Sequence, residues 1–289
     1  MRSEQEMLDL ILRTARADER VRAVIMNGSR ANPNARRDIF QDYDIVYVVT
    51  DVRSFTSDHS WVHCFGDIMI MQLPDEMLSA PPNSAGRFAY LVQFMDGNRI
   101  DLSLFPVAKL SDLERDSQSI LLLDKDGIIE PFPPPSDQDY LPKPPTAKAF
   151  ADCCNEFWWV CPYVAKGLWR EEITYTKYAH DQIVRAELMK MLTWYVGVKT
   201  DFQFSPGMAG KRFRQYLEPH LWAMLERTYA DARYESTWDA LGVTCELFRA
   251  AATHVAECFG FAYPWGDDQR VSAHLKHVRQ LPANATEMY

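Results

Sequence analysis

Val24–Asp51 reads VIMNGSRANPNARRDIFQDYDIVYVVTD. An apolar run gives way to Gly28-Ser29-Arg30, and a second apolar run opens around Asp42 and Asp44, two carboxylates two positions apart. On a β-strand the side chains alternate between faces, so Asp42 and Asp44 share one face while Tyr43 and Ile45 take the other. Carboxylates fixed side by side repel unless something positive sits between them. A Mg²⁺ ion carrying substrate phosphates meets that need, because it prefers hard oxygen ligands and few protein carboxylates. The Gly28-Ser29 turn adds backbone N–H groups and a hydroxyl at a predicted helix start, where phosphate binds well. The stretch therefore predicts a site for a metal-bound nucleoside triphosphate.

A third acid extends the pattern. Leu91–Met95 and Arg99–Phe105 flank Asp96-Gly97-Asn98, a hairpin signal in which glycine supplies the positive φ. In the second arm Ile100, Leu102 and Leu104 alternate with Asp101, Ser103 and Phe105, which turns Asp101 away from the aliphatic row and toward Asp42 and Asp44. Two acids holding a metal and one beside the nucleophile suit phosphoryl and nucleotidyl transfer. The metal neutralises phosphate charge, and an acid accepts the attacking hydroxyl's proton.

The wider wording carries a resemblance. Gly28-Ser29-Arg30 followed by Gln41-Asp42-Tyr43-Asp44 resembles the signature of the DNA polymerase β-like nucleotidyltransferases. MNGSRANPN from Met26, FQDYDIVY from Phe40, FGDIMIMQ from Phe65, QFMDGNRIDL from Gln93, FPPPSDQDYL from Phe132, CCNEFWW from Cys153 and KGLWREE from Lys166 resemble the aminoglycoside 6-adenylyltransferases, the streptomycin-modifying enzymes. The similarity runs from Met1 to about Pro282, with no departure at the three acids or the Gly-Ser-Arg turn. It implies adenylyl transfer from Mg·ATP to the 6-hydroxyl of streptomycin, with release of pyrophosphate. Asp42 and Asp44 are then metal ligands, and Asp101 is either the general base or a third ligand. Gly28, Ser29 and Arg30 are expected at the nucleotide, with Arg30 either helping there or bracing the turn.

Bulk properties agree. The 289 residues suffice for two domains, and 47% hydrophobic with 25% charged residues is ordinary for a globular chain. No apolar run reaches membrane-spanning length, and the acidic, amphipathic start is unlike a signal peptide. Six cysteines show neither zinc spacing nor a small-protein disulfide framework, which predicts a reducing, cytoplasmic setting. The net charge is −9, and almost all of the acidic excess lies in residues 1–145. That argues against a nucleic-acid acceptor, which wants a basic groove, and suits a polycationic small molecule.

The predicted architecture is α+β: a mixed-sheet nucleotidyltransferase domain over residues 1–140, then an all-α helical-bundle domain over residues 146–289. Helix is predicted for Glu4–Ala17, a short helical or turn segment for Ser29–Asn34, and strands for Val21–Met26, Ile45–Val49, Trp61–Phe65, Asp67–Leu73, Phe88–Met95 and Arg99–Phe105. Pro131–Pro145 reads as a stiff spacer. Beyond it, helices are expected from Thr146 to a stop at Cys161-Pro162, then over Glu171–Val198, Lys211–Leu217, His220–Ala230, Trp238–Phe259 and Asp268–Gln280. The aromatics Trp158, Trp159, Trp169, Tyr175, Tyr178, Trp194 and Tyr195 are expected as core of that bundle.

Two groups in the helical half are candidates for the site. Trp169 beside Glu171 and Glu172 suits a cationic sugar by stacking and charge, and the family wording points the same way. Lys199, Lys211 and Arg214 lie near Gly207 and Gly210 and are placed to neutralise β- and γ-phosphates. The helical half is expected to close the acceptor pocket. Neither a Gly-x-x-x-x-Gly-Lys-Ser/Thr loop nor a His-Arg-Asp loop is present, so kinase readings fall away. A lincosamide adenylyltransferase is the nearest chemical alternative, and a catalytically dead nucleotide-binding protein would be expected to lack one of the acids.

Overall fold

A computed structural model describes residues 1–80 and 86–289. The chain divides into two compact units, Met1–Asp139 and Tyr140–Tyr289. Helix α1 (Glu4–Ala17) opens the first unit with a capping box: the Ser3 hydroxyl accepts the Glu6 N–H, and the Glu6 carboxylate accepts the Ser3 N–H. Next come β1 (Val21–Asn27), α2 (Gly28–Ala31), β2 (Tyr43–Val49), α3 (Arg53–Thr56), β3 (Ile68–Gln72), β4 (Phe88–Phe94), β5 (Arg99–Pro106) and β6 (Ile120–Asp124). The strands form one mixed sheet in the order β3-β4-β5-β2-β1-β6. Only β2 and β5 pair in parallel; the other neighbours are antiparallel.

Alternation along the strands sets the two faces. Tyr43, Ile45, Tyr47 and Val49 of β2 join Ile100, Leu102 and Leu104 of β5 in a core closed by Met7, Ile11 and Ala15 of α1. The opposite face of the same two strands carries Asp44 and Asp101. A buried hydrogen bond, Tyr47 Oη donating to the Ile11 carbonyl at 2.6 Å, ties α1 to β2.

Three features of this unit differ from the sequence reading. His59–Phe65 is a 3₁₀ helix rather than a strand, because the Asp58 carboxylate caps it through the Ser60 N–H and Trp61 turns inward onto Phe55 and Tyr90. Ile120–Asp124 adds a sixth strand on β1 that the sequence reading left unassigned. The Pro-rich stretch, expected as a stiff spacer, is fastened to the first unit over its first part: Ser136 N–H donates to the Ser117 carbonyl, and Asp139 accepts the Ser117 N–H.

The second unit is all-helical: α4 (Ala147–Trp169), α5 (Ile173–Tyr178), a π-helical turn (Ala179–Val184), α6 (Arg185–Lys199), α7 (Phe213–Tyr216), α8 (Pro219–Arg227), α9 (Tyr234–Phe259) and α10 (Trp265–Gln280). Helix α4 does not stop at Pro162. The ring removes one backbone donor, but Trp158, Cys161, Val164 and Ala165 around it are buried, so packing carries the helix onward. The π-turn interrupts what the sequence presents as one long helix. It places His180 in the interior, where its ring nitrogens meet the Asp181 carboxylate at 2.9 Å and the Thr244 hydroxyl at 3.2 Å. Trp158 and Tyr195 are core as expected, whereas Trp159, Tyr175 and Tyr178 are exposed. Among the described residues no helix is long and apolar enough to cross a membrane.

The Tyr47–Ile11 bond gives a direct test of the first core. Tyr47→Phe removes a second hydrogen bond from a carbonyl that still accepts within α1, so urea unfolding should show a loss of about 0.5–1.5 kcal/mol with an unchanged denaturant slope.

Candidate active site

The parallel register sets Asp44 of β2 directly beside Asp101 of β5, and Asp42 lies one position before β2. A carboxylate oxygen from each of Asp42, Asp44 and Asp101 comes within 4.8 Å of the others, and all three residues are half-buried. Hard oxygen donors at this spacing can hold a divalent cation. Gly28 packs against this group with φ of 73°, and a Cβ there would stand 2.1 Å from Asp44 Oδ2. Glycine is therefore required twice over, by the left-handed backbone and by the close approach to Asp44.

The concentration of charge shows in Asp44. Burial, together with the nearby carboxylates of Asp42 and Asp101, pushes its pKa up to about 7 against a smaller opposing pull from Arg99. Arg99 also faces the acids. Its Nε and Nη2 donate to the two oxygens of Asp101, each at 2.7 Å, and its guanidinium stands 4.0 Å from Asp42. Sequence reasoning passed over Arg99, although its position two residues before Asp101 puts both on one strand face.

The loop around Gly28 is braced from below. Arg30 is only 7% exposed; it donates from Nε to the Asp42 carbonyl at 2.9 Å and from Nη2 to the Gln41 carbonyl at 2.7 Å. It also pairs with Glu4 at 3.1 Å and stacks on the Tyr43 ring at 3.8 Å. Of the two roles expected for Arg30, this geometry supports the brace. Gln41 reaches the Ser29 hydroxyl at 3.2 Å. Buried Asn32 donates to Asp137, which also accepts from Gln118 at 2.9 Å. Asn32, Gln118 and Asp137 were not singled out from sequence, and only the lack of an apolar role for Asn32 in the motif hinted at them.

The remaining predicted residues belong to the helical unit. Lys199 pairs with Glu218 at 2.5 Å, whereas Lys211 is exposed, its stem lying against Gly207. Trp169 is half-buried on the helical core. Glu171 and Glu172 are exposed at the α4–α5 junction. Glu171 holds a left-handed φ of 58°, and its carbonyl accepts the Tyr234 hydroxyl at 2.6 Å.

The raised Asp44 pKa has a thermodynamic consequence. Between about pH 4 and 7 the folded, metal-free protein keeps a proton that the unfolded chain has released. Stability therefore falls as pH rises through that window and levels off above it. Asp44→Asn should stabilise the metal-free protein by about 1–2 kcal/mol at pH 8, trimmed by solvent screening, with little change at pH 4. Thermal melts at the two pH values, in chelator, measure it.

Against this geometry the relatives are informative. A family model described as streptomycin adenylyltransferase matches residues 1–278. An aminoglycoside 6-adenylyltransferase of Bacillus subtilis (strain 168) is 41% identical over 270 residues, covering 93% of this chain and 95% of that protein. One from Campylobacter jejuni is 42% identical over 270 residues, covering 93% of each. A crystal structure of an aminoglycoside 6-adenyltransferase from Bacillus subtilis is 36% identical, with a TM-score of 0.49 over 97% of this chain and 100% of that one. A family match of this extent, joined to relatives alike along nearly their whole length, establishes that the chain belongs to the streptomycin adenylyltransferase family of nucleotidyltransferases.

Proposed function

We propose that this protein transfers AMP from Mg·ATP to the 6-hydroxyl of streptomycin and releases pyrophosphate. The observation that carries the reading is the convergence of Asp42, Asp44 and Asp101 beside the Gly28 turn. The names of the relatives, aminoglycoside 6-adenylyltransferases, support the acceptor class. The acidic balance of the chain favours a polycationic acceptor over a nucleic acid.

Asp42 and Asp44 are the residues that would hold Mg²⁺. When bound, the ion supplies charge neutralisation for the phosphates and polarises the α-phosphoryl group. Gly28 and Ser29 hold the departing pyrophosphate portion through backbone N–H and hydroxyl donors. The acceptor hydroxyl attacks the α-phosphorus in line, the bond to the bridging oxygen of pyrophosphate breaks, and Asp101 takes the hydroxyl proton. Trp169, Glu171 and Glu172 are the proposed acceptor contacts, since carboxylates pair with the guanidinium groups of streptomycin. Lys211 is the freer of the two lysines for the phosphates, because Lys199 is engaged by Glu218.

The test is pyrophosphate release from Mg·ATP with streptomycin set against spectinomycin, kanamycin and lincomycin. Release with streptomycin alone is expected, and release with lincomycin instead would move the acceptor to the lincosamides. Asp42→Asn and Asp44→Asn should each lower turnover at least about 10³-fold without changing the circular dichroism spectrum. Full activity in either variant would overturn the metal assignment. For Asp101→Asn, a loss of about 10²–10⁴ in turnover with Mg·ATP affinity kept identifies the base. A parallel loss of ATP binding identifies a third ligand instead.

Ser29→Ala should raise the KM for ATP more than that for streptomycin, and the reverse order would put the turn on the wrong substrate. Glu171→Gln or Glu172→Gln should weaken streptomycin binding in calorimetry with ATP affinity unchanged. No change in either variant would remove that segment from the acceptor contacts.

A further inference from the structure

We propose that Arg99 is a tethered counter-cation that competes with the divalent metal for Asp101. It rests on reading the three acids as a metal site. The fork geometry is the starting point: Nε and Nη2 of Arg99 engage both oxygens of Asp101 at 2.7 Å each. Each oxygen keeps a second lone pair, so the conflict is one of charge and space: a dication held on Asp101 would stand beside the guanidinium that grips both of its oxygens. The close bidentate pair and a metal-loaded Asp101 therefore oppose one another.

The surroundings allow the exchange. The hairpin that carries Arg99 is held by other groups. Arg2 Nε donates to Asp96 at 2.7 Å, Asp96 accepts the Asn98 N–H at 3.0 Å, and Gln93 donates to the carbonyls of Gly97 and Asn98 at 3.1 Å. The Arg99 side chain is 45% exposed, and its ion pairs are with Asp101 and, at longer range, Asp42. Swinging it into solvent disturbs neither the hairpin nor the core. Charge favours the exchange as well: one guanidinium faces three carboxylates, and a dication balances them more fully. In the metal-free protein Arg99 reduces repulsion among the acids, and when the cation enters Arg99 gives up Asp101.

A merely structural salt bridge predicts the opposite sign, because removing it would loosen Asp101 and weaken the metal site. Mn²⁺ titration of the full-length protein without nucleotide, by calorimetry and electron paramagnetic resonance, separates the two. Arg99→Gln should bind Mn²⁺ about five- to tenfold more tightly than the unmodified protein. Arg99→Lys should fall between them, since an ammonium cannot span both oxygens. In an Asp101→Asn background the Arg99→Gln gain should shrink toward nothing.

Metal-free Arg99→Gln should melt below the unmodified protein at pH 8 and show the larger rise with Mn²⁺. Equal or weaker Mn²⁺ affinity in Arg99→Gln and Arg99→Lys overturns the proposal while leaving the metal site standing. Failure of the unmodified protein to bind Mn²⁺ at all overturns the metal reading itself.

Discussion

The parallel pairing of β2 with β5 is the constraint on which the site depends. It sets Asp44 opposite Asp101 and, by the same register, Ile45 opposite Leu102 and Tyr43 opposite Ile100. A slip of one residue would bury Asp101 in the aliphatic core and turn Ile100 or Leu102 toward Asp44. The packing of Ile45, Tyr47, Leu102 and Leu104 against α1 therefore fixes where the carboxylates stand. Core and site are two faces of one alternation.

A second constraint acts from the loop. Gly28 can approach Asp44 only because it lacks a Cβ, and the chain after it must be held in place for that approach to persist. Arg30 does this by spending its donors on the carbonyls of Gln41 and Asp42 and its charge on Glu4 of α1. Asp137, far along the chain, secures Asn32 on the other side. The Pro-rich stretch that carries Asp137 thus acts as a strap on the turn before the chain enters the helical unit. Helix, strand and strap each contribute one fixed point to a turn whose Arg30, Ala31 and Asn32 are buried.

How far these features were legible in the sequence follows from what each one rests on. Period-two alternation is a property of the chain itself, so Asp42, Asp44 and Asp101 could be placed on one face, and glycine at a turn has a local reason. Arg30 sits in the same motif, yet its burial under the turn depends on Tyr43 and Glu4, which no spacing rule brings together. Arg99 shares the face of Asp101 by the same alternation, but its pairing depends on side-chain reach. His59–Phe65 and Pro162 were misread because local propensity was outvoted, by a capping aspartate and inward tryptophan in one case and by helix packing in the other. The interruption at His180 was unreadable, since the partner its ring meets in the interior is Thr244, 64 residues further along the chain.

The electrostatics explain why the acids sit where the backbone is best held. Three carboxylates at this spacing push apart, and that repulsion adds to burial in raising the pKa of Asp44. Repulsion among side chains relaxes by backbone movement wherever the backbone is free. Here both strands are central in the sheet, each hydrogen-bonded on two sides, and their opposite face is locked to α1 by Ile45, Tyr47 and Leu102. The repulsion cannot be relieved by moving the strands apart, so it is relieved by a cation. In the structure that cation is the guanidinium of Arg99, carried on a half-exposed side chain. A site built in this way keeps its affinity for positive charge because its scaffold refuses to adapt.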